Sequence, residues 1–159
     1  MNLGYACINS TLGSQKPRVT TNRSMIKRTF TERGIGYASE LGLLNAKDLF
    51  TILQWNNEHN IKCFRTSSDI FPWGSEYGLQ NAPDYKEIKS ILQLCGKYAD
   101  EHGIRITSHP GPFNVLVSPR EHVVENTIKD LELHGEVFDM MGLSRTPYNK
   151  LNIHCNGVY

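Results

Sequence analysis

The chain has 159 residues, 39% of them hydrophobic, with 7 Pro and 13 Gly, which fits one folded domain with a real core and excludes a low-complexity or collagen-like polymer. No apolar run reaches the roughly 20 residues of a membrane span, and the opening MNLGYACINS lacks the charged and then apolar layout of a secretory leader. The formal net charge is only +1, but the first 33 residues hold Lys16, Arg18, Arg23, Lys27, Arg28 and Arg33 against Glu32 alone, while the rest of the chain is net acidic.

Four cysteines, Cys7, Cys63, Cys95 and Cys155, are far apart, with no pair at CxxC spacing. A zinc knuckle or redox dithiol is thereby disfavoured, and free buried thiols in an intracellular, reducing compartment are expected.

In chain order, the first strand is expected over residues 2 to 7 (NLGYAC), followed by a long basic loop over 8 to 30. Leu49, Ile52 and Leu53 mark a helix that ends about His59 and starts as early as Arg33, its beginning blurred by Gly34, Gly36 and Gly42. A second strand is expected over 62 to 66, then a loop over 67 to 83 that carries Phe71, Trp73 and Tyr77 among Pro and Gly. Residues 85 to 102 form the clearest helix, with Ile88, Ile91, Leu92, Cys95, Tyr98 and Ala99 on one face and His102 and Gly103 closing it. After a third strand over 104 to 108, Ser118, Pro119 and Glu121 read as a capping box that opens a helix burying Val124, Ile128 and Leu131. That helix is expected to end near Gly135, with a further turn through Phe138 and Met141, and a fourth strand follows over 151 to 155.

The order βαβαβαβ implies parallel strands joined by crossovers, as in a doubly wound sheet or a (β/α)8 barrel. Strand spacing of about 40 to 60 residues, and long loops after the strands, favour a (βα)3β portion of a barrel, about half of one. In such folds, sites form at the carboxyl ends of strands. Those ends carry Tyr5, Asn9, Ser10 and Thr11, then Ser67, Ser68 and Asp69, then His109, then His154. Convergence of His and Asp from separate strands is how a divalent metal site is built, although a strand-end histidine also serves as a plain structural residue. Pro110 and Gly111 permit a sharp turn that leaves the His109 imidazole at the rim, whereas an Asx-type turn is the simpler role for Asp69. His59, His102, His122 and His134 fall on or beside helices and are expected at the surface or as caps. The basic loop suits phosphate oxygens or is simply solvated, and the rings of the second loop either stack on unpaired bases or pack beneath their own loop.

Four segments carry a resemblance: LGYACINSTLGSQKPRVTTNRSM (3 to 25), FRTSSDIFPW (64 to 73), SHPGPFNVLVSP (108 to 119) and LNIHCNGVY (151 to 159). In order and in content the chain resembles the amino-terminal half of the UV-damage endonucleases. That resemblance implies a single TIM-barrel endonuclease domain of which residues 1–159 are the first half, and an enzyme that nicks DNA 5′ to UV photoproducts using divalent ions, typically manganese. It further implies that His109 and His154 are metal ligands, and that Tyr5, Asn9, Phe113 and Arg23 belong to the surface that meets damaged double-stranded DNA. Where the family has Gln after its His-Pro-Gly turn, this chain has Pro112, which offers no side-chain hydrogen bond.

The stop after GVY reads as a truncated or split product, completed by a second chain or a missing half. Two other readings are a half barrel that binds DNA without cutting it, or survives as a relic, and a related metal-dependent barrel such as an abasic-site endonuclease or sugar isomerase.

Overall fold

The computed structural model describes residues 2–154. Its sheet has three parallel strands, β1 (Gly4–Ala6), β2 (Cys63–Thr66) and β3 (Arg105–Ser108), in that spatial order. Gly4, Tyr5 and Ala6 stand opposite Cys63, Phe64 and Arg65, and those in turn opposite Arg105, Ile106 and Thr107. Alternation along each strand sends Phe64 and Ile106, both fully buried, toward the helices, and leaves Gly4, Ala6, Cys63, Arg65 and Arg105 less covered on the other face. That second face lines an open groove of about 530 Å³, which also receives Thr107, Lys150 and Asn152.

The helices between the strands are α1 (Ser10–Gly13), α2 (Lys27–Glu58), α3 (Gly74–Tyr77), α4 (Tyr85–Glu101) and α5 (Glu121–Met140), with a 3-10 turn at Leu79–Asn81. α2 packs on α4, and α5 on α3 and α4. Leu49, Ile52 and Leu53 of α2, Ile88, Leu92 and Cys95 of α4, and Val137 and Phe138 of α5 meet Phe64 and Ile106 in one core. α4 forms where its apolar period places it, and Gly103, at φ +63, turns the chain out of it. At Gly96, an added Cβ would lie 1.8 Å from the Met141 carbonyl oxygen, so glycine there sets how closely α4 meets the end of α5.

Three expectations need correcting. The 27–58 helix starts earlier than Arg33 and is kinked at Gly34, whose φ of +70 and ψ of −168 break the helical path. The capping box at Ser118 does not form. α5 starts at Glu121, Arg120 supplies no side-chain cap, and the Ser118 hydroxyl accepts the Arg120 N–H at 3.2 Å to close a local turn. α5 also runs on to Met140, and it buries Thr127, Leu133, His134, Val137 and Phe138, while Ile128 is exposed. Its inner face is dictated by α3, β3 and the 110–118 loop, which offer polar as well as apolar partners.

The fourth strand is reduced to one parallel bridge, Leu151 to Ser108. The Ser108 N–H donates to the Lys150 carbonyl at 3.1 Å, and the Asn152 N–H donates to the Ser108 carbonyl at 2.8 Å. The end of that expected strand, with Cys155, lies outside the described residues. Cys7, Cys63 and Cys95 are free thiols, and burial pushes the Cys95 thiol up to about 12. Among the described residues, no helix is long and apolar enough to cross a membrane.

Candidate functional site

The loops after β1, β2 and β3 leave the sheet at one rim, because parallel strands carry their carboxyl ends to the same side. β1 leads into Asn9, whose carbonyl oxygen Oδ1 accepts the Leu12 N–H at 2.9 Å and so starts α1. The Asn9 amide donates to the Tyr5 hydroxyl at 2.8 Å, and that hydroxyl donates to Asn56 Oδ1 at 2.7 Å. Tyr5, half-buried, packs edge-on against Phe64 at 5.2 Å. Burial pushes its phenol above the ordinary tyrosine value, against the opposing pull of the Asn9 and Asn56 hydrogen bonds. Both side chains are therefore locked before any ligand arrives, and beside them a shallow concavity opens among Ile8, Ser10, Thr11 and Trp55.

The basic loop is less available than its composition implies. Arg23 Nη1 pairs with Asp48 Oδ2 at 2.7 Å and also donates to the Thr20 carbonyl at 2.6 Å, while Nη2 reaches the Arg18 carbonyl. The guanidinium thus folds its own turn down onto α2. Buried Asn45 holds the same turn, accepting the Arg23 N–H at 3.1 Å and donating to the Arg23 carbonyl at 3.0 Å. In the second loop, Trp73 stacks on Phe30 at 5.3 Å and donates its indole N–H to the Met25 carbonyl at 3.0 Å. Tyr77 lies over Phe30 as well, and Phe71 is buried, so these rings pack beneath their loop.

The two strand-end histidines meet. The rings of His109 and His154 lie edge to face with centroids 4.7 Å apart. The His109 turn continues into a loop strapped to α5: Asn114 donates to Asp130 Oδ2 at 2.6 Å, and the Val115 N–H donates to Thr127 Oγ1 at 2.9 Å. Phe113 stands at the tip of that loop, 89% exposed.

Asp69 sits on the same rim, its turn held by the Ser67 hydroxyl, which accepts the Asp69 N–H at 3.3 Å. Its carboxyl is pushed above the usual range by partial desolvation and then by the Asp130 charge, with His134 pulling the other way.

His134 is the residue that sequence reasoning misplaced. It is 2% exposed, not at the surface, and its Nδ1 shares a hydrogen bond of 2.9 Å with the Ser108 hydroxyl. Burial holds its imidazole below the ordinary histidine value, with the Asp130 and Asp69 charges opposing. Nε2 has no hydrogen-bond partner among the described residues and lies 3.9 Å from Asp130 Oδ2. Position on a helix gave no signal for this, because the polar stretch that holds His134 turns inward only through tertiary contacts.

As a metal site, the rim is partial. Imidazole nitrogens are ligands of the kind that divalent ions of borderline softness take, and His109 and His154 are the pair that meets here. Among the described residues, no group of three or more His, Cys, Asp or Glu side chains converges to complete a ligand set.

Comparison with known proteins gives the arrangement its context. The family model for UV-endonuclease UvdE matches residues 1–159. A UV-damage endonuclease of Schizosaccharomyces pombe is 36% identical over 160 residues, covering 99% of this chain and 26% of that protein. A putative UV-damage endonuclease of Acanthamoeba polyphaga mimivirus is also 36% identical, covering 100% and 48%. The UV DNA damage endonuclease of Clostridium perfringens is 34% identical, covering 100% and 36%. The crystal structure of SacUVDE superposes with a TM-score of 0.81 at 30% identity, over 97% of this chain and 49% of that one. The chain thus spans between about a quarter and about half of these relatives, and its parallel sheet corresponds to part of the larger fold. A match along the whole length sets aside the abasic-site endonuclease and sugar isomerase readings, and the chain belongs to the UV-endonuclease UvdE family.

Proposed function

We propose that residues 1–159 are the amino-terminal half of a single TIM-barrel endonuclease domain, and that this half supplies two metal ligands and the lesion-facing wall of an enzyme that nicks damaged double-stranded DNA 5′ to UV photoproducts. The observation that carries the reading is the meeting of His109 and His154, from separate strand ends, at 4.7 Å. Their ring nitrogens would hold a divalent ion, manganese by family resemblance, which when bound polarises a phosphate and lowers the pKa of water. Pre-set by their mutual hydrogen bonds, Tyr5 and Asn9 form a wall against flipped-out bases, which distorted lesions release at lower cost. Phe113 fills the gap left in the duplex by stacking, without the hydrogen bonds that Gln would add at the Pro112 position. Arg23 contributes by fixing the 18–23 turn, so that exposed Lys16 and Arg18 meet the phosphates. Asp69 faces the same rim and serves there as a nearby acid. Free thiols at Cys7, Cys63 and Cys95 agree with an intracellular, reducing setting.

The incomplete ligand set among the described residues favours a second reading, in which this half binds DNA and cuts only when a second half, on the same or another chain, completes the site. One experiment separates the two: incubate the protein with Mn²⁺ and either UV-irradiated or untreated plasmid, beside His109→Ala and His154→Ala. Lesion-dependent nicking lost in both variants supports the enzyme. Salt-sensitive binding without nicking supports the DNA-binding half, and equal nicking of both plasmids sinks the UV-damage reading.

A further inference from the structure

We propose that His134 is a positioning residue for the His109 and His154 pair, acting through the side chain of Ser108; the inference rests on reading that pair as metal ligands. Ser108 is fully buried at the end of β3 and immediately precedes His109. Its backbone N–H and carbonyl also bond the segment leading to His154, at the Lys150 carbonyl and the Asn152 N–H, beside the Arg105 guanidinium that holds the Pro147 and Tyr148 carbonyls. Whatever fixes Ser108 therefore fixes the origin of both imidazoles. The 2.9 Å hydrogen bond to His134 Nδ1 does so from α5, a helix packed against α3 and α4.

The arrangement is costly as packing alone. His134 Nε2 is buried without a hydrogen-bond partner among the described residues, and at 3.9 Å Asp130 Oδ2 is too far for a direct bond. A leucine would fill the same space without that cost, so space-filling does not account for an imidazole here. In the neutral tautomer protonated at Nε2, Nδ1 accepts from the Ser108 hydroxyl and the Nε2 proton points toward the Asp130 carboxylate. One helical turn earlier, Asp130 accepts from Asn114 of the loop that follows His109. α5 thus braces both the strand end before His109 and the loop after it.

Outer groups that orient a metal ligand typically matter by roughly 10- to 100-fold in metal affinity. The test is a titration of the full chain with Co²⁺, read by visible absorption, for the wild type, His134→Leu, His134→Asn, Ser108→Ala and His109→Ala, with thermal unfolding recorded on the same samples. Asparagine places its Oδ1 near the position of Nδ1 and can still accept from Ser108; leucine cannot. We expect His134→Leu and Ser108→Ala to weaken cobalt binding about 10-fold or more, and His134→Asn to stay within about threefold of the wild type although its melting temperature falls. Unchanged affinity in Ser108→Ala, or equal losses in the Leu and Asn variants that follow their melting temperatures, overturns the inference. Should His134→Leu fail to fold, Ser108→Ala decides alone, since it removes the same hydrogen bond with little change in volume. A cobalt band that survives His109→Ala, or is absent from the wild type, instead brings down the metal-ligand reading itself, and the inference with it.

Discussion

Asn45 and Arg23 hold each other by the backbone: one amide side chain, fully buried in α2, accepts the Arg23 N–H and donates to the Arg23 carbonyl. The same amide also donates to the Ile70 carbonyl at 3.0 Å, so a single side chain ties the basic turn to the loop after β2. Asn45→Leu would remove this partner from the buried Ile70 carbonyl and from the part-buried Arg23 N–H and carbonyl. We expect a loss of about 2 to 4 kcal/mol in unfolding free energy, measured by urea denaturation. A change below about 0.5 kcal/mol would show that water replaces the amide.

Gly96 brings α4 directly against the backbone at the end of α5. An alanine methyl would overlap the Met141 carbonyl, and the obstacle is backbone rather than a flexible side-chain tip. Gly96→Ala ordinarily gains helix propensity, so the sign is diagnostic. Here α4 and the end of α5 must separate, and we expect a net loss of about 1 to 3 kcal/mol in the same denaturation assay.

Tyr77 sets a pH limit. Burial pushes its phenol up to about 12, because the folded chain favours the neutral form. The sign follows: stability from this group is complete below about pH 10, the value for an unfolded tyrosine, and is lost as pH rises from there through about 12. The hydroxyl also has no hydrogen-bond partner among the described residues. Tyr77→Phe should therefore leave the melting temperature at pH 7 unchanged or raised, and should lessen its fall between pH 10 and 12. A lower melting temperature at pH 7 would mean that the hydroxyl has a partner in solution.

Exposure separates chemistry from stability at His154. Its side chain is exposed, so His154→Ala should alter unfolding free energy by no more than about 0.5 kcal/mol. Loss of metal binding in that variant would then report ligation directly. A large loss of stability would instead assign the ring a structural place against His109.

What the sequence made legible follows from where single elements meet a uniform surroundings. α4 was readable nearly to the residue, because Ile88, Leu92, Cys95 and Ala99 all face one apolar core and their period is undisturbed. The strand centres were readable for the same reason, and the rim positions of His109 and His154 followed from parallel topology. α5 was not, since its inward face mixes Thr127 and His134 with Leu133 and Val137, and only the loop and strand packed against it explain that choice. The one-turn helices α1 and α3 were hidden as well. Their residues are set by a single Asn9 cap in one case and by the left-handed backbone of Trp73, φ +60, in the other.

The break at Gly34 divides α2 into two rods that do not share one helical hydrogen-bond path. The longer rod is welded into the core by Leu49, Ile52 and Leu53, whereas the shorter is held chiefly through Phe30 against Trp73 and Tyr77. Cooperative units of unfolding end where such contacts thin out. Amide hydrogens of residues 28 to 33 should accordingly exchange through a local opening that leaves 38 to 56 protected, so Arg28 and Arg33 can shift with the shorter rod while the scaffold beneath it stays closed.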